Sequence, residues 1–179
     1  MFVLYIYANE LERGNYRAIA GGLALYMVHW LVEIANALIQ HFSGHALWTV
    51  PAGTSFSIMV GVGIEISLMF SVAGIVACKM MPKDPGVKIL GISNRLFFSV
   101  LNAALASIIE IFLVRTPVFV WVYPWWGAFP VFLTVYIPFF AAACYCHDWQ
   151  PRTQAGFIGT LFGINAAALI IFGAILGWI

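Results

Sequence analysis

The amino-acid sequence predicts an all-α fold: a polytopic membrane helix bundle with about five transmembrane helices. Of its 179 residues 63% are hydrophobic and only 8% are charged, whereas about a quarter of the residues in an ordinary soluble domain are charged. Five apolar stretches have about the 20 residues that a helix needs to cross the hydrocarbon core. No linker and no repeat of fixed period divides the chain, so residues 1–179 are predicted to form a single transmembrane helical domain.

The five predicted spans are separated by short segments rich in glycine, proline and charged residues. In the order of the chain, the spans are Ile19 to Gln40, Ser57 to Cys78, Leu96 to Val114, Pro124 to Cys146 and Thr153 to Ile179. Glycine and proline break helices, and charged side chains avoid the hydrocarbon core, so these separators favour turns at the membrane surface. The sequence therefore predicts a multi-pass integral membrane protein.

Positive charge predicts the orientation of the bundle. Short cytoplasmic loops carry an excess of lysine and arginine. In the predicted topology one side carries seven of these residues and the other carries only Arg115; the seven are Arg13, Arg17, Lys79, Lys83, Lys88, Arg95 and Arg152. The N-terminus is therefore predicted to be cytoplasmic and the C-terminus to lie outside.

Three glutamates fall within the predicted spans. At 1.5 Å per helical residue, Glu33 and Glu110 each lie about 21 Å above the cytoplasmic end of their span, and Glu65 lies about 20 Å above it. A carboxyl group within the bilayer costs several kcal/mol, so an intramembrane acid indicates function by default. Three acids at one depth predict a site in the outer half of the membrane, with catalytic carboxyl groups.

Other polar residues follow the same helix faces. His29, Glu33 and Asn36 are spaced by four and three residues, which places them on one side of the first helix. Asn102 precedes Glu110 by eight residues on the third predicted span. Asn165 lies about 18 Å along the fifth. We expect His29 to orient or reprotonate an acid, and Asn36, Asn102 and Asn165 to bind the carboxyl groups or the substrate.

An aromatic cluster lies at the outer level near Glu110. Trp121, Trp125 and Trp126 are typical of the interfacial belt of membrane proteins. A second interpretation is that their π-faces stabilise a cationic intermediate in a dry pocket. Prolines in the fourth span, including Pro130 and Pro138, are expected to bend it and to open a cavity beside its neighbours.

Several classes of function lack a signature. His41 and His45 are spaced i, i+4, but no clear third or fourth ligand accompanies them, so no metal site is predicted. No motif indicates a nucleotide or another cofactor. The net charge of +1 provides no basic stripe for nucleic acid. The expected partners are membrane lipids and a hydrophobic small-molecule substrate, with an oligomer or a larger membrane complex left open.

The segment His29-Trp30-Leu31-Val32-Glu33, together with Glu65, resembles the emopamil-binding-protein (EXPERA) family of membrane sterol isomerases. That family is similar in using a His-x-x-x-Glu on one span and a glutamate near the start of the next. The resemblance implies a pocket open to lipid, in which an acid protonates a carbon–carbon double bond. By this likeness His29, Glu33 and Glu65 are the catalytic group. The chain also resembles integral-membrane terpene cyclases, which share acid-initiated carbocation chemistry.

Three functions remain open from the sequence. The leading hypothesis is an integral membrane enzyme acting on an apolar, isoprenoid or sterol-like lipid, in which a carboxylic acid protonates an alkene, as an isomerase or cyclase. The second is a proton-coupled transporter or channel subunit that uses the same acids. The third is a non-catalytic subunit of a membrane complex. A bland interpretation of the polar residues is that they only hold the helices together through hydrogen bonds.

Overall fold

The computed structural model of the chain describes residues 2–51 and 56–179. Helices dominate it: α1 (Phe2–Glu12), α2 (Tyr16–Ser43), α3 (Ile64–Met80), α4 (Asn94–Leu113), α5 (Ala128–Val131), α6 (Ile137–Cys146) and α7 (Pro151–Ala168). Two π-helical segments, Phe132–Tyr136 and Leu169–Ile175, continue α5 into α6 and extend α7. Six short strands pair at the ends of the helices: β1 (Trp48–Thr49), β2 (Ser57–Met59), β3 (Val62–Gly63), β4 (Lys88–Ile89), β5 (Ile92–Ser93) and β6 (Val120–Trp121).

The predicted membrane helix bundle is confirmed. In the described part of the chain, four helices are long and apolar enough to cross a membrane: Tyr16–Ser43, Asn94–Leu113, Ala128–Cys146 and Pro151–Ile175. Their bounds match four of the five predicted spans to within a few residues. Hydropathy is a local property of the chain, so it locates such helices without knowledge of their packing.

The remaining predicted span, from Ser57 to Cys78, is wrong at its beginning. Its first seven residues form an antiparallel hairpin in which β2 pairs with β3, and α3 begins only at Ile64. Gly61, Val62 and Gly63 have low helix propensity, which favours the extended conformation here. The 17 residues of α3 extend about 26 Å, less than the roughly 30 Å of the hydrocarbon core.

The segment from the hairpin through α3 nevertheless packs antiparallel on α2. Near one end Gly74 packs on Gly22, so closely that a Cβ atom on Gly74 would lie 2.8 Å from the Cα atom of Gly22. Near the other end a Cβ atom on Gly61 would lie 2.8 Å from Oε2 of Glu33. Small residues allow this close approach of the two backbones. The chain therefore still passes back through the bundle at α3, in a pass shorter than the other four.

The other helices alternate in direction in the same way. Arg95, at the start of α4, binds Asp148, just beyond the end of α6, through two hydrogen bonds of 2.5 and 2.7 Å. On the far side of α2, Asn165 of α7 donates to the backbone oxygen of Met27 at 2.8 Å. The bundle thus places the seven predicted cytoplasmic lysines and arginines towards one end and Arg115 at the other. The orientation relative to the two sides of the membrane stays a prediction.

Helix α1 packs against α2 and α3. The carboxylate of Glu10 is buried and binds the ammonium group of Lys79 on α3, and Asn15 donates to its other oxygen at 2.8 Å. The hydrogen bond from Lys79 outweighs burial, so the pKa of Glu10 is lowered from its ordinary value of 4.5. An ion pair thus attaches α1 to the bundle, while Phe2, Leu4 and other apolar side chains point outwards.

Candidate functional site

A cavity of about 540 Å³ lies among α2, α3, α4 and α6. Its wall is mostly aliphatic and aromatic, and its volume lies in the usual range of small-molecule sites. Four exposed apolar side chains belong to its lining: Met69 and Val76 on α3, and Leu105 and Ile109 on α4. Residues that are both exposed and part of the wall mark an opening, so the cavity opens sideways between α3 and α4, towards the lipid.

On the α2 side, His29 and Glu33 line this cavity as a buried pair. The Nε2 atom of His29 lies 3.4 Å from Oε1 of Glu33, and the two residues are only 1% and 5% exposed. The imidazole stacks on Phe70, with ring centroids 4.4 Å apart, and meets the edge of Phe139. Neither ring nitrogen of His29, nor Oε2 of Glu33, has a hydrogen-bond partner among the described residues.

Such unpartnered polar atoms are unusual in a buried site. A buried donor or acceptor without a partner costs about 1–3 kcal/mol, so most are paired. Here the imidazole and the free oxygen of Glu33 are available to a molecule within the cavity. The pair is therefore suited to give or take a proton there.

Glu110, on the α4 side of the cavity, is held differently. Its Oε2 atom accepts a short hydrogen bond from the hydroxyl of Tyr136, and its Oε1 atom accepts one of 2.5 Å from the indole nitrogen of Trp121. Two donors directed at the two oxygens stabilise a carboxylate and fix its orientation. Glu110 is thus arranged as a hydrogen-bond acceptor, in contrast to Glu33 with its free oxygen.

The π-helical segment Phe132–Tyr136 brings Tyr136 to this position. Pro138 has no N–H group and so cannot make the hydrogen bond to Thr134 that an α-helix requires. The hydroxyl of Thr134 bonds back to the carbonyl of Pro130 at 2.7 Å. A widened turn between two prolines results, and such turns are frequent at functional sites. Val135 and Tyr136, which lie in this turn, line the cavity.

Glu65 also lines the cavity, but it is exposed and lies in the first turn of α3. The predicted depth of about 20 Å assumed a helix that begins at Ser57. Because α3 begins at Ile64, Glu65 lies at the outer end of the helix and at the edge of the cavity. The structure thus brings all three predicted glutamates to one cavity, two of them buried and one at its opening.

A family model matches the chain over residues 1–174 and is described as an uncharacterized membrane protein family. The chain belongs to this uncharacterized membrane protein family. A relative in Archaeoglobus fulgidus, described as an uncharacterized protein, is 40% identical and is matched over all of this chain and 87% of its own length. A second A. fulgidus protein with the same description is 48% identical over 50 residues, which cover 27% of this chain and 89% of that protein. No solved structure matches the chain significantly.

Membership of this family corrects the resemblance drawn from the sequence. The chain matches the uncharacterized family over nearly its whole length, and neither relative is linked to the EXPERA sterol isomerases or to terpene cyclases. The pattern His-x-x-x-Glu is short, and any pair spaced i, i+4 lies on one helix face. Shared helical spacing, rather than common descent, accounts for the likeness.

In this family member the three predicted asparagines do not bind the carboxyl groups. Asn36 joins α2 to β1: its Nδ2 atom donates to the carbonyl of Trp48 at 3.0 Å, and its Oδ1 atom accepts from the backbone of Leu47. Asn102 lines the cavity but donates to the carbonyl of Phe98 within α4. Asn165 lies where α7 packs on α2, away from the cavity. The Nδ2 atom of each of these amides donates to a nearby backbone carbonyl, a partner that the sequence pattern does not reveal.

The three predicted tryptophans also separate. Trp121 binds Glu110, as described above, whereas Trp125 is 62% exposed. Trp126 stacks on Trp48, with ring centroids 5.9 Å apart. Neither Trp125 nor Trp126 belongs to the cavity lining. The pairing of β1 with β6 places Trp121 opposite Trp48, and strands so short have no sequence signal.

The aromatic wall of the cavity includes Phe70, Tyr136 and Phe139, which sequence analysis did not select. Phe70 is five residues after Glu65, and Tyr136 is two before Pro138. The prolines were expected to bend this span, so the position of Tyr136 beside Pro138 was the signal by which it could have been found. Of the two histidines weighed for metal, His41 stacks on Trp178 and His45 lies beside Tyr123.

Proposed function

We propose that this protein is an integral membrane enzyme that protonates a carbon–carbon double bond of an apolar lipid, as an isomerase or a cyclase. The observation that carries the proposal is the cavity itself, which combines two buried glutamates and a histidine with an apolar wall open to the lipid. A lipid can reach such a site without leaving the bilayer. Carboxyl groups in a dry pocket are able to act as general acids.

Glu33 is the proposed acid. Its Oε2 atom has no hydrogen-bond partner among the described residues, so a protonated Glu33 has an oxygen free to approach the substrate. The proton forms a new C–H bond at one alkene carbon, and the π bond breaks. The neighbouring carbon becomes cationic. His29, at 3.4 Å, is positioned to return a proton to Glu33 after the step.

Glu110 is the proposed base. Its carboxylate, oriented by Tyr136 and Trp121, removes a proton from a carbon next to the cation. The electron pair of that C–H bond forms the new double bond, so the product of isomerisation has the mass of the substrate. A second double bond that attacks the cation before this step leads to a ring instead. After the product leaves, Glu110 releases the proton that it removed to solvent, and Glu33 takes up a solvent proton by way of His29, which restores the enzyme.

The aromatic wall supports this chemistry. Phe70, Tyr136 and Phe139 line the cavity, and attraction between a cation and the face of an aromatic ring strengthens when water is excluded. Transport by the same acids finds less support, because the lining includes none of the charged residues at the basic end of the bundle. A transporter requires access to both aqueous sides.

The proposal is tested by isolating membranes that contain the protein from cells grown in ordinary water, incubating them in heavy water and analysing their lipids by mass spectrometry. The expected product has an unchanged skeleton, an altered retention time and one incorporated deuteron. The Glu33→Gln variant keeps the shape of the side chain but has no proton to give, so it should form no product. Glu12→Gln, which changes an exposed acid on α1, is the matched control and should behave as the wild type.

Failure of the wild type to form this product would overturn the proposal. A product formed by the wild type and by Glu33→Gln alike would remove Glu33 from the role of acid.

A further inference from the structure

The charge of the cavity restricts the lipid that it can bind. Three carboxyl groups and one imidazole belong to its wall, whereas none of the lining residues that the structure describes is lysine or arginine. Residues 52–55, which lie outside the described part, are Ala-Gly-Thr-Ser and contain no cation either. Arg115, the one cation at the outer end of the bundle, is exposed and does not line the cavity.

The polar groups of the wall are also unevenly placed. Along α3 the lining runs from Glu65 to Val76, eleven residues or about 16 Å parallel to the helix axis. Glu33, Glu65 and Glu110 surround the outer part. The part nearer the basic end is bounded by Val76, Phe140 and similar apolar side chains, together with the Asn102 amide, whose Nδ2 atom is bonded within its own helix.

From this distribution we infer that the cavity binds one uncharged, elongated lipid with a hydroxyl group at the Glu65 end. The inference rests on the proposed function for the site. A hydroxyl can donate to the side chain of Glu65. The unpartnered Oε2 atom of Glu33 then stays free for a double bond farther along the lipid. The hydrocarbon part then extends along α3 and α4 towards Val76.

A phosphate or carboxylate head group does not fit this end of the cavity. It would lie beside three carboxyl groups in a poorly solvated site, where like charges repel more strongly than in water. Sites that bind phosphate use arginine, lysine or a helix N-terminus to supply positive charge. The N-terminus of α3 does lie here, but its first turn carries Glu65, which already occupies that positive end.

The experiment compares a C20 polyunsaturated isoprenoid alcohol with its phosphate monoester. Each is titrated into the full-length protein in nanodiscs of one zwitterionic lipid, and bound probe is counted by native mass spectrometry. The alcohol should bind with a stoichiometry of one and at least about tenfold more tightly than the phosphate. Glu65→Lys should narrow or reverse the preference, because it replaces a carboxylate with an ammonium group at the head-group end.

A second comparison locates the hydrocarbon part. Ala106→Phe fills the cavity from α4 and should abolish binding of the alcohol, whereas Ile108→Phe, on an exposed part of the same helix, should leave it unchanged. The comparison of the two probes on the wild type needs no variant, so a misfolded Ala106→Phe does not prevent a decision.

Equal or tighter binding of the phosphate overturns the inference, and so does failure of the wild type to bind the alcohol. The proposed function fails separately. If the alcohol binds as expected but no deuteron enters any lipid in heavy water, the cavity is a lipid site without the proposed chemistry.

Discussion

The contact between Gly74 and Gly22 predicts a large cost for a single added methyl group. In Gly74→Ala the new Cβ atom would lie 2.8 Å from the Cα atom of Gly22 and 3.1 Å from the carbonyl oxygen of Gly21. Ordinary contacts of this kind are 3.4–4 Å. Two of the three nearest atoms belong to backbone, which cannot rotate away, so α2 and α3 must separate.

Overpacking of this kind costs about 1–3 kcal/mol, and the higher helix propensity of alanine returns up to about 1 kcal/mol. We therefore expect Gly74→Ala to destabilise the protein by about 1–2 kcal/mol. For a chain of this length that corresponds to a fall of about 2–8 °C in Tm. Thermal unfolding of the purified protein in mild detergent, followed by tryptophan fluorescence, measures it.

Gly163→Ala is the matched control. It makes the same substitution in a membrane helix, but no atom lies within 4 Å of the added Cβ. Its Tm should equal or slightly exceed that of the wild type. If Gly74→Ala melts with or above the wild type, the close packing of α2 on α3 is not as described. A large fall for Gly163→Ala would show that the surface of α7 is covered in solution.

Three further predictions follow from individual side chains. Tyr136→Phe removes the hydroxyl that binds Glu110 and should slow deuteron incorporation by about 100-fold, while the Tm in detergent remains within a few degrees of the wild type. Arg95→Ala leaves Asp148 without its bidentate partner and should lower the free energy of unfolding by about 3 kcal/mol, which a fall in Tm reports. Arg95→Lys should recover part of the lost stability. Because folding lowers the pKa of Glu10, its ion pair with Lys79 stabilises the attachment of α1 above pH 4.5. This stabilisation is lost as the pH falls through the pKa that Glu10 has in the folded protein. The rate of proteolysis within α1 should therefore rise in acid for the wild type, whereas in Glu10→Gln it should not depend on acid.

Hydropathy and charge predicted the membrane spans from the sequence, because they differ between segments that lie in lipid and segments that lie in water. A run of about 20 apolar residues is helical in lipid whatever its neighbours, since the backbone must close its own hydrogen bonds. Four spans were located in this way. The hairpin of β2 and β3 was missed because its residues are apolar, and hydropathy does not distinguish an apolar strand from an apolar helix.

The sequence by itself therefore determined the class of protein, most of its helices and the common level of Glu33 and Glu110, since depth follows from counting residues along a helix. Only the tertiary structure decided which groups meet at that level. Packing between distant segments decides how each helix is rotated, where the π-helical turn at Tyr136 lies and what the asparagines contact. For the same physical reason, no local pattern reveals the opening between α3 and α4, because a gap depends on how two helices pack against each other.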